Sequence, residues 1–145
     1  MQSVVKKFQD LTVDELYEIL QLHSAVFVVE QDCVYQDLDD IDKEAWHIYL
    51  KDDDKIVGYL RVVDKGKRLD EVSIGRVVSL YRRRGIGNRL MEIAKKVAKE
   101  QFGATKIKVG AQIQAQPFYE NAGFVPVSKE YLEDGIPHIY MLYEE

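Results

Sequence analysis

Between an apolar, strand-like segment (residues 72–80) and a strongly helical one (residues 88–101), the chain reads Arg82-Arg83-Arg84-Gly85-Ile86-Gly87-Asn88. The two glycines leave backbone N–H groups unobstructed at the start of the helix, where the helix dipole adds partial positive charge. The three arginines make the same turn cationic. We therefore expect an anion-binding turn here, and pyrophosphate is the anion that suits it best.

Two common phosphate-binding patterns do not fit this turn. The dinucleotide fingerprint requires a glycine where the chain has Leu90, and an acidic residue roughly 20 positions further on, where the chain has Lys106-Ile107-Lys108. A Walker loop ends in Gly-Lys-Ser/Thr, which Gly87-Asn88-Arg89 does not supply. The pattern that does match is Q/R-x-x-G-x-G/A, as Arg82-x-x-Gly85-x-Gly87.

This turn resembles the signature of the GNAT N-acyltransferases, which place the pyrophosphate of acetyl-coenzyme A there. A second segment, Ala115-x-x-Phe118-Tyr119-x-x-x-Gly123-Phe124, is similar to the family's A-x-x-F/L-Y-x-x-x-G-F segment. Two motifs at the right distance from each other are much more specific than either one alone. Residues 26–35, 39–42 and 133–138 further resemble the ElaA-like branch of the family.

Length and composition limit the classes of protein to which the chain can belong. Its 145 residues predict a single domain, 1–145, and its 46% hydrophobic and 31% charged residues are typical of a soluble globular protein. We expect no membrane partner, because no apolar run approaches the ~20 residues that span a bilayer, and no signal peptide. The lone Cys33 predicts a reducing, cytoplasmic location. A formal net charge of −5 argues against nucleic-acid binding.

The hydrophobic pattern predicts the element order βαββ–βα–βα–ββ. Thr12-x-x-Glu15 is a capping box that starts the first helix. An apolar stripe from Leu90 to Ala98 predicts the main helix, which Gly103 ends, and Pro117 suits the first turn of a short helix. Strands are expected at residues 3–8, 46–50, 56–63, 72–80, 106–111, 124–127 and 136–142.

By resemblance, the fold is an α+β GNAT fold. It has a central mixed sheet of about seven strands, flanked by about four helices and splayed between strands 4 and 5. Unpaired backbone groups of the fourth strand would pair with the pantetheine arm, and one N–H there could stabilise the oxyanion. The implied cofactor-binding residues are Val77, Val78 and Ser79 in this strand and Arg82, Arg83, Arg84, Gly85, Ile86, Gly87 and Asn88 in the turn.

The implied catalytic residue is Tyr119, whose hydroxyl would protonate the departing coenzyme A sulfur as a general acid. Tyr119 could instead be a packing aromatic, since the chain has nine tyrosines. The acidic run at residues 30–44 is either a solvated loop or a lip that attracts a cationic amine. Cys33 as an acyl-carrying nucleophile is a further alternative to direct transfer. The general base stays open among Glu30, Asp39, Asp42, His47, Glu71 and His138.

The resemblance implies an acetyl-coenzyme A-dependent N-acetyltransferase that acts on a primary amine of a small molecule, a protein or a peptide. No metal is expected, because the cysteine and histidine spacing does not match zinc ligands. A non-catalytic acyl-coenzyme A-binding or regulatory module, and a protein that keeps only the fold, stay open as alternatives. A homodimer could form by sheet-edge pairing or by exchange of the final strand. The sequence does not specify the acceptor, because its pocket would be built by the loops at residues 30–45 and 128–137, and such loops vary freely.

Overall fold

The computed structural model describes residues 1–81 and 85–145, which form one mixed sheet with helices on both faces. The strands are β1 (Gln2–Lys7), β2 (Trp46–Asp52), β3 (Lys55–Val63), β4 (Ser73–Ser79), β5 (Lys106–Gln112), β6 (Val125–Pro126), β7 (Tyr131–Glu133) and β8 (Ile136–Glu144). The α-helices of the described residues are α1 (Val13–His23), α2 (Ile86–Phe102) and α3 (Gln116–Asn121). Short 3-10 turns lie at Phe8–Asp10, Ile41–Glu44 and Ile113–Ala115, and a π-helical turn at Ser24–Glu30.

The sheet has the order β1-β2-β3-β4-β5-β8-β6, with β7 paired to β8. Its one parallel pair among the described strands is β4 with β5, and this pair is in register at a single position, Ser73 opposite Lys108. The Lys108 N–H donates to the Val72 carbonyl at 2.9 Å. Beyond Ser73, no described residue of β4 is in register with β5, so the two strands diverge. The predicted GNAT fold with a sheet splayed between strands 4 and 5 is therefore confirmed.

A bulge in β4 lies beside this divergence. Arg76 and Val77 together lie opposite Leu60 alone, because Gly75 pairs with Arg61 and Val78 with Tyr59. Arg76 has a positive φ of 52°. Such a bulge increases the local twist of a strand and redirects its side chains.

The prediction differs from the structure in two elements. The sheet has eight strands rather than about seven, because residues 131–133 form β7 and pair back on β8 through the turn Asp134-Gly135. Asp-Gly is a strong hairpin signal, and both residues have positive φ, 51° and 77°. The three α-helices, against about four expected, are supplemented by the π-helical turn, which extends α1 without a break as far as Glu30.

The core lies on both faces of the sheet. Alternate residues of β2 face opposite sides, so Ile48 and Leu50 pack under α2 while Tyr49 packs under α1. On β3, Gly58 lets the first turn of α2 come close, because an added Cβ would overlap Ile86 Cγ2 and lie 3.0 Å from Leu90 Cδ1. The glycine therefore sets the height of the α2 N-terminus above the sheet.

Candidate active site

The divergence of β4 and β5 opens a cavity of about 570 Å³. Its walls come from β4 on one side, from β5 and β8 on the other, and from residues within segments 26–39 and 133–138. The volume lies within the range of roughly 300 to 1,000 Å³ that is typical of small-molecule sites. The sheet thus has a ligand-sized opening where its hydrogen bonding stops.

The predicted strand residues fall at different depths around this opening. Val77 lines the cavity and, as a bulge residue, has no register partner on β3. Val78 is buried in the core, and Ser79 is exposed at the end of β4. Pairing of their backbone with the pantetheine arm stays a prediction.

Four of the seven predicted turn residues, 85–88, lie at the N-terminus of α2. Gly85 is the N-cap with φ 70°, and among the described residues no atom lies within 4 Å of a Cβ added there. Gly87 packs on α3, because its Cβ would lie 2.8 Å from Phe118 Cε1. Ile86 is buried and Asn88 exposed. The other predicted members of the turn, Arg82, Arg83 and Arg84, lie outside the described residues.

Tyr119 lines the cavity and belongs to the core at the same time. Its ring packs edge-on against Phe118 at 5.1 Å and Phe124 at 5.7 Å between centroids. Its hydroxyl makes no hydrogen bond among the described residues, and burial raises the pKa of Tyr119. The phenol is therefore protonated at neutral pH, as a general acid must be.

Two of the six candidate bases, Asp39 and His138, line the cavity, whereas Glu30, Asp42, His47 and Glu71 do not. His47 is fully buried, with Nδ1 at 2.6 Å from the Tyr59 hydroxyl and Nε2 at 2.8 Å from the Asp42 carbonyl. Burial lowers the pKa of His47. This histidine is a structural, neutral one.

Neither alternative for the acidic run, a solvated loop or a lip for a cationic amine, describes Asp39 and Asp42, because both are paired with Arg61. The fully buried guanidinium donates to Asp39 through two nitrogens, at 3.0 and 2.7 Å, and to Asp42 at 2.9 Å. Burial alone would lower the pKa of Arg61, but the two carboxylates raise it. Asp40 is exposed and lies 3.0 Å from Lys43 Nζ. Asp39 and Asp42 thus fix the loop to β3, whereas Asp40 pairs within its own segment.

Arg76 anchors the same loop from β4. Its Nε donates to Asp37 Oδ1 at 2.9 Å, and the Tyr35 hydroxyl donates to the same oxygen at 2.8 Å. Asp37 Oδ2 lies 3.4 Å from Nδ1 of the buried His23. Burial disfavours the charged Asp37, but contacts with His23, Tyr35 and Arg76 outweigh it and lower the pKa of Asp37 to about 2. These contacts fix the loop to β4 as one wall of the cavity.

His138 on β8 lies beside a further ion pair at the cavity, between Arg68 and Glu133. Its Nδ1 lies 2.7 Å from the Ile136 carbonyl, and its Nε2 lies 3.5 Å from Glu133 Oε2. The other oxygen of Glu133 accepts from Arg68 Nη2 at 3.0 Å. All three side chains line the cavity.

Segment 31–33 crosses from the helical side to the far half of the sheet. Gln31 accepts a hydrogen bond from the Gln112 amide at 3.1 Å, and the Cys33 thiol donates to the Asp134 carbonyl at 3.4 Å. A thiol that donates to a neutral carbonyl gains nothing toward the thiolate that a nucleophile requires. The contact favours a structural role for Cys33 over an acyl-carrying one.

The sequence profile of the acetyltransferase (GNAT) domain matches residues 8–145. The chain belongs to the GNAT family. ElaA of Escherichia coli is 41% identical over 139 residues, which cover 93% of this chain and 91% of ElaA. A UPF0039 protein of Schizosaccharomyces pombe is 41% identical over 148 residues, covering 99% and 97% of the two chains. The predicted similarity to the ElaA-like branch is confirmed.

Solved structures of GNAT proteins superpose on the whole chain. The crystal structure of an acyl-CoA N-acyltransferase from Pseudomonas aeruginosa matches with a TM-score of 0.90 and 41% identity, over 99% of both chains. The crystal structure of Escherichia coli ElaA also matches with a TM-score of 0.90, at 37% identity.

Two further observations on this GNAT domain concern metal ions and membranes. Across residues 1–81 and 85–145, no three His, Cys, Asp or Glu side chains are grouped as metal ligands would be. Within the same ranges, every helix is too short or too polar to cross a membrane.

Sequence reasoning missed the charged residues that anchor the walls of the cavity. Arg61, Arg68 and Arg76 carry no local motif, and in the sequence Glu133 is only part of a segment that resembles the ElaA-like branch. The Asp134-Gly135 turn was the available signal, because a tight hairpin there brings Glu133 next to Ile136 and close to His138.

Proposed function

We propose that this chain transfers an acetyl group from acetyl-coenzyme A to a primary amine by direct attack of the amine on the thioester. The observation that carries the proposal is the cavity at the divergence of β4 and β5, lined by both Val77 and Tyr119. Membership of the GNAT family supports it, as does similarity over 99% of the chain to a protein described as an acyl-CoA N-acyltransferase.

The residues around the cavity suit acetyl-coenzyme A as a co-substrate. Beyond Ser73, no described strand pairs with the edge of β4 that faces β5. The backbone groups along this edge are therefore open to the two amides of a pantetheine arm. The open space at Gly85 and the α2 N-terminus, whose first N–H groups have no helical acceptor, suit the pyrophosphate.

The chemistry then divides among few groups. The amine nitrogen forms a bond to the thioester carbon, and the carbon–sulfur bond breaks. Backbone N–H groups of β4 near Val77 stabilise the oxyanion. Tyr119 gives its proton to the leaving thiolate, and the tyrosinate regains a proton from the amine side of the reaction. No metal takes part in this proposal.

Calorimetric titration with acetyl-coenzyme A, followed by an amine panel, tests the proposal. The panel contains small primary amines, amino acids, polyamines and lysine-containing peptides, and mass spectrometry follows the acetylated product because Cys33 would also react with thiol reagents. We expect micromolar binding and transfer to at least one class of amine. Binding without transfer to any amine would favour a regulatory acyl-coenzyme A-binding module. Absence of binding would favour a protein that keeps the fold without the activity.

Three further statements stay predictions: a single domain over 1–145, a cytoplasmic location, and a homodimer. Preference for acetyl over longer acyl groups is read from the same assay with propionyl- and butyryl-coenzyme A.

A further inference from the structure

We infer that His138 is the general base of the transfer, that Glu133 pairs with its protonated form, and that Arg68 holds Glu133 in place. The inference rests on the proposed function, and it assigns a group that the family resemblance leaves open. It also names a group that can take up the proton of a cationic amine at a site where Arg61 and Arg76 pair with the aspartates.

The tautomer of His138 is set by the backbone. Nδ1 lies 2.7 Å from the Ile136 carbonyl, which can only accept, so Nδ1 carries a proton. In the neutral ring, Nε2 then holds the lone pair. The side chain is 7% exposed and lines the cavity.

Glu133 lies where it can stabilise the proton that His138 accepts. Its Oε2 is 3.5 Å from Nε2, while its Oε1 is engaged by Arg68. An ammonium group can donate to Nε2 and Oε2 together, because these atoms are 3.5 Å apart. Its N–H bond then breaks as an Nε2–H bond forms, leaving a neutral amine beside an imidazolium paired with Glu133.

The other groups that face His138 leave this assignment intact. The Tyr131 ring on β7 packs against the imidazole at 5.8 Å between centroids, and Gln112 lies opposite it on β5. Arg68 reaches it through Glu133. Further charged residues line the same cavity: Asp39, Arg76 and Asp134.

The competing candidate within the cavity is Asp39. Both of its oxygens accept from Arg61, and Arg76 Nη2 lies 3.5 Å from Oδ2. Burial works against its ionisation, but the contacts with Arg61 and Arg76 lower the pKa of Asp39. A carboxylate of lowered pKa is a weaker base, so the proton transfer falls to His138.

The test measures the pH dependence of turnover for the wild type, His138→Gln and Glu133→Gln. Glu130→Gln is the matched control, because Glu130 is exposed three residues before Glu133. Two panel acceptors of different amine basicity are used. A change in turnover that reports a group of the protein occurs at the same pH with both acceptors. A change that reports the amine itself occurs at a different pH for each acceptor. Each such change is called a limb of the pH profile.

We expect His138→Gln to lower turnover at neutral pH by about 10²-fold, to abolish the protein's acidic limb, and to regain activity with added imidazole. Glu133→Gln should move that limb to lower pH, since the imidazolium loses its partner, and Glu130→Gln should leave it unchanged. An unchanged limb in His138→Gln would overturn this inference alone. Bound acetyl-coenzyme A without transfer by the wild type would overturn the proposed function with it.

Discussion

Gly85 and Gly87 lie two residues apart in one turn, yet different constraints account for them. Gly85 starts α2 with φ 70° and has no contact for an added Cβ in the described part of the chain, whereas Gly87 leaves room for the Phe118 ring. The sequence motif joins a backbone requirement with a packing requirement. A substitution at Gly87 therefore reports on packing, and a test of phosphate binding must be made at Gly85.

We predict that Gly85→Asn weakens acetyl-coenzyme A binding by ~10-fold or more, because a side chain then projects toward the expected phosphates. Asparagine tolerates the left-handed conformation, so the fold should persist. Gly103→Asn is the matched control, since Gly103 ends the same helix with φ 62° and equally open space. Calorimetric titration of both variants checks this; equal dissociation constants would place the phosphates elsewhere.

A second prediction at this scale concerns the hydroxyl of Tyr119. Tyr119→Phe keeps the ring contacts with Phe118 and Phe124 and removes a hydroxyl that makes no hydrogen bond among the described residues. The melting temperature and cofactor affinity should stay close to wild type, while turnover falls by at least ~10-fold because the proton donor is lost.

The control for Tyr119→Phe is Tyr143→Phe, in the same aromatic cluster, where Tyr143 packs on Phe124 at 5.6 Å. Tyr143 is not among the residues that line the cavity. The loss in Tyr119→Phe should shrink for an acyl donor whose thiol has a lower pKa. Full turnover in Tyr119→Phe would leave Tyr119 with packing alone.

Among the elements, α2 and β3 set the position of the proposed phosphate turn. The two approach each other at Gly58, whose absent side chain gives room to Ile86 and Leu90. The helix start is therefore fixed by the sheet beneath it as well as by its own cap.

We predict that Gly58→Ala destabilises the protein by about 1–3 kcal/mol, as overpacking in a dense core does, and also weakens acetyl-coenzyme A binding. Gly75→Ala in β4 is the control for stability alone, because its Cβ would lie no nearer than 3.8 Å from a described atom, Arg61 Nε, whereas Gly75 itself lines the cavity. Urea unfolding of Gly58→Ala, Ile86→Ala and the double variant measures the coupling. Strictly additive losses would show that Gly58 and Ile86 do not compete for space.

The elements were largely predictable and the charge pairing was not. The capping box at Thr12 and the helix end at Gly103 are local signals, and both are present in the structure. Arg61 binds Asp39 across 22 positions of sequence, and Arg76 binds Asp37 across 39. Charge patterns identify the ions but not their partners, because long-range pairing depends on the register of β3 and β4. The bulge at Arg76 does have a signal beside it, Gly75, because a glycine inside a strand often marks a bulge, but the glycine does not say which residue takes the positive φ.

For the whole molecule, the contacts of Asp37, which is buried, and of Glu15, which is partly buried, make stability depend on pH. The pKa of Asp37 is held at about 2, and so is that of Glu15, where burial is outweighed by hydrogen bonds from Thr12, Tyr49 and Lys6. Unfolded carboxylates titrate near pH ~4. Both groups thus contribute stability that is present above pH ~4 and is lost as the pH falls toward ~2.

We predict that Asp37→Asn lowers stability at neutral pH and flattens its decline between pH ~4 and ~2. The exposed Asp40→Asn should change neither, because Asp40 pairs with Lys43 at the surface only. Chemical unfolding at a series of pH values provides the measurement. A parallel decline in wild type and Asp37→Asn would assign the acid sensitivity to other groups.

The single register contact between β4 and β5 has a consequence for cooperativity. One half of the sheet comprises β1 to β4 and the other β5 to β8, and across the sheet itself they meet at one position, Ser73 with Lys108. A pantetheine arm that pairs along β4, as proposed, would complete the missing ladder much as an added strand does. The bound co-substrate would then connect the two halves of the sheet, and the protein with acetyl-coenzyme A bound would unfold more cooperatively than the free protein.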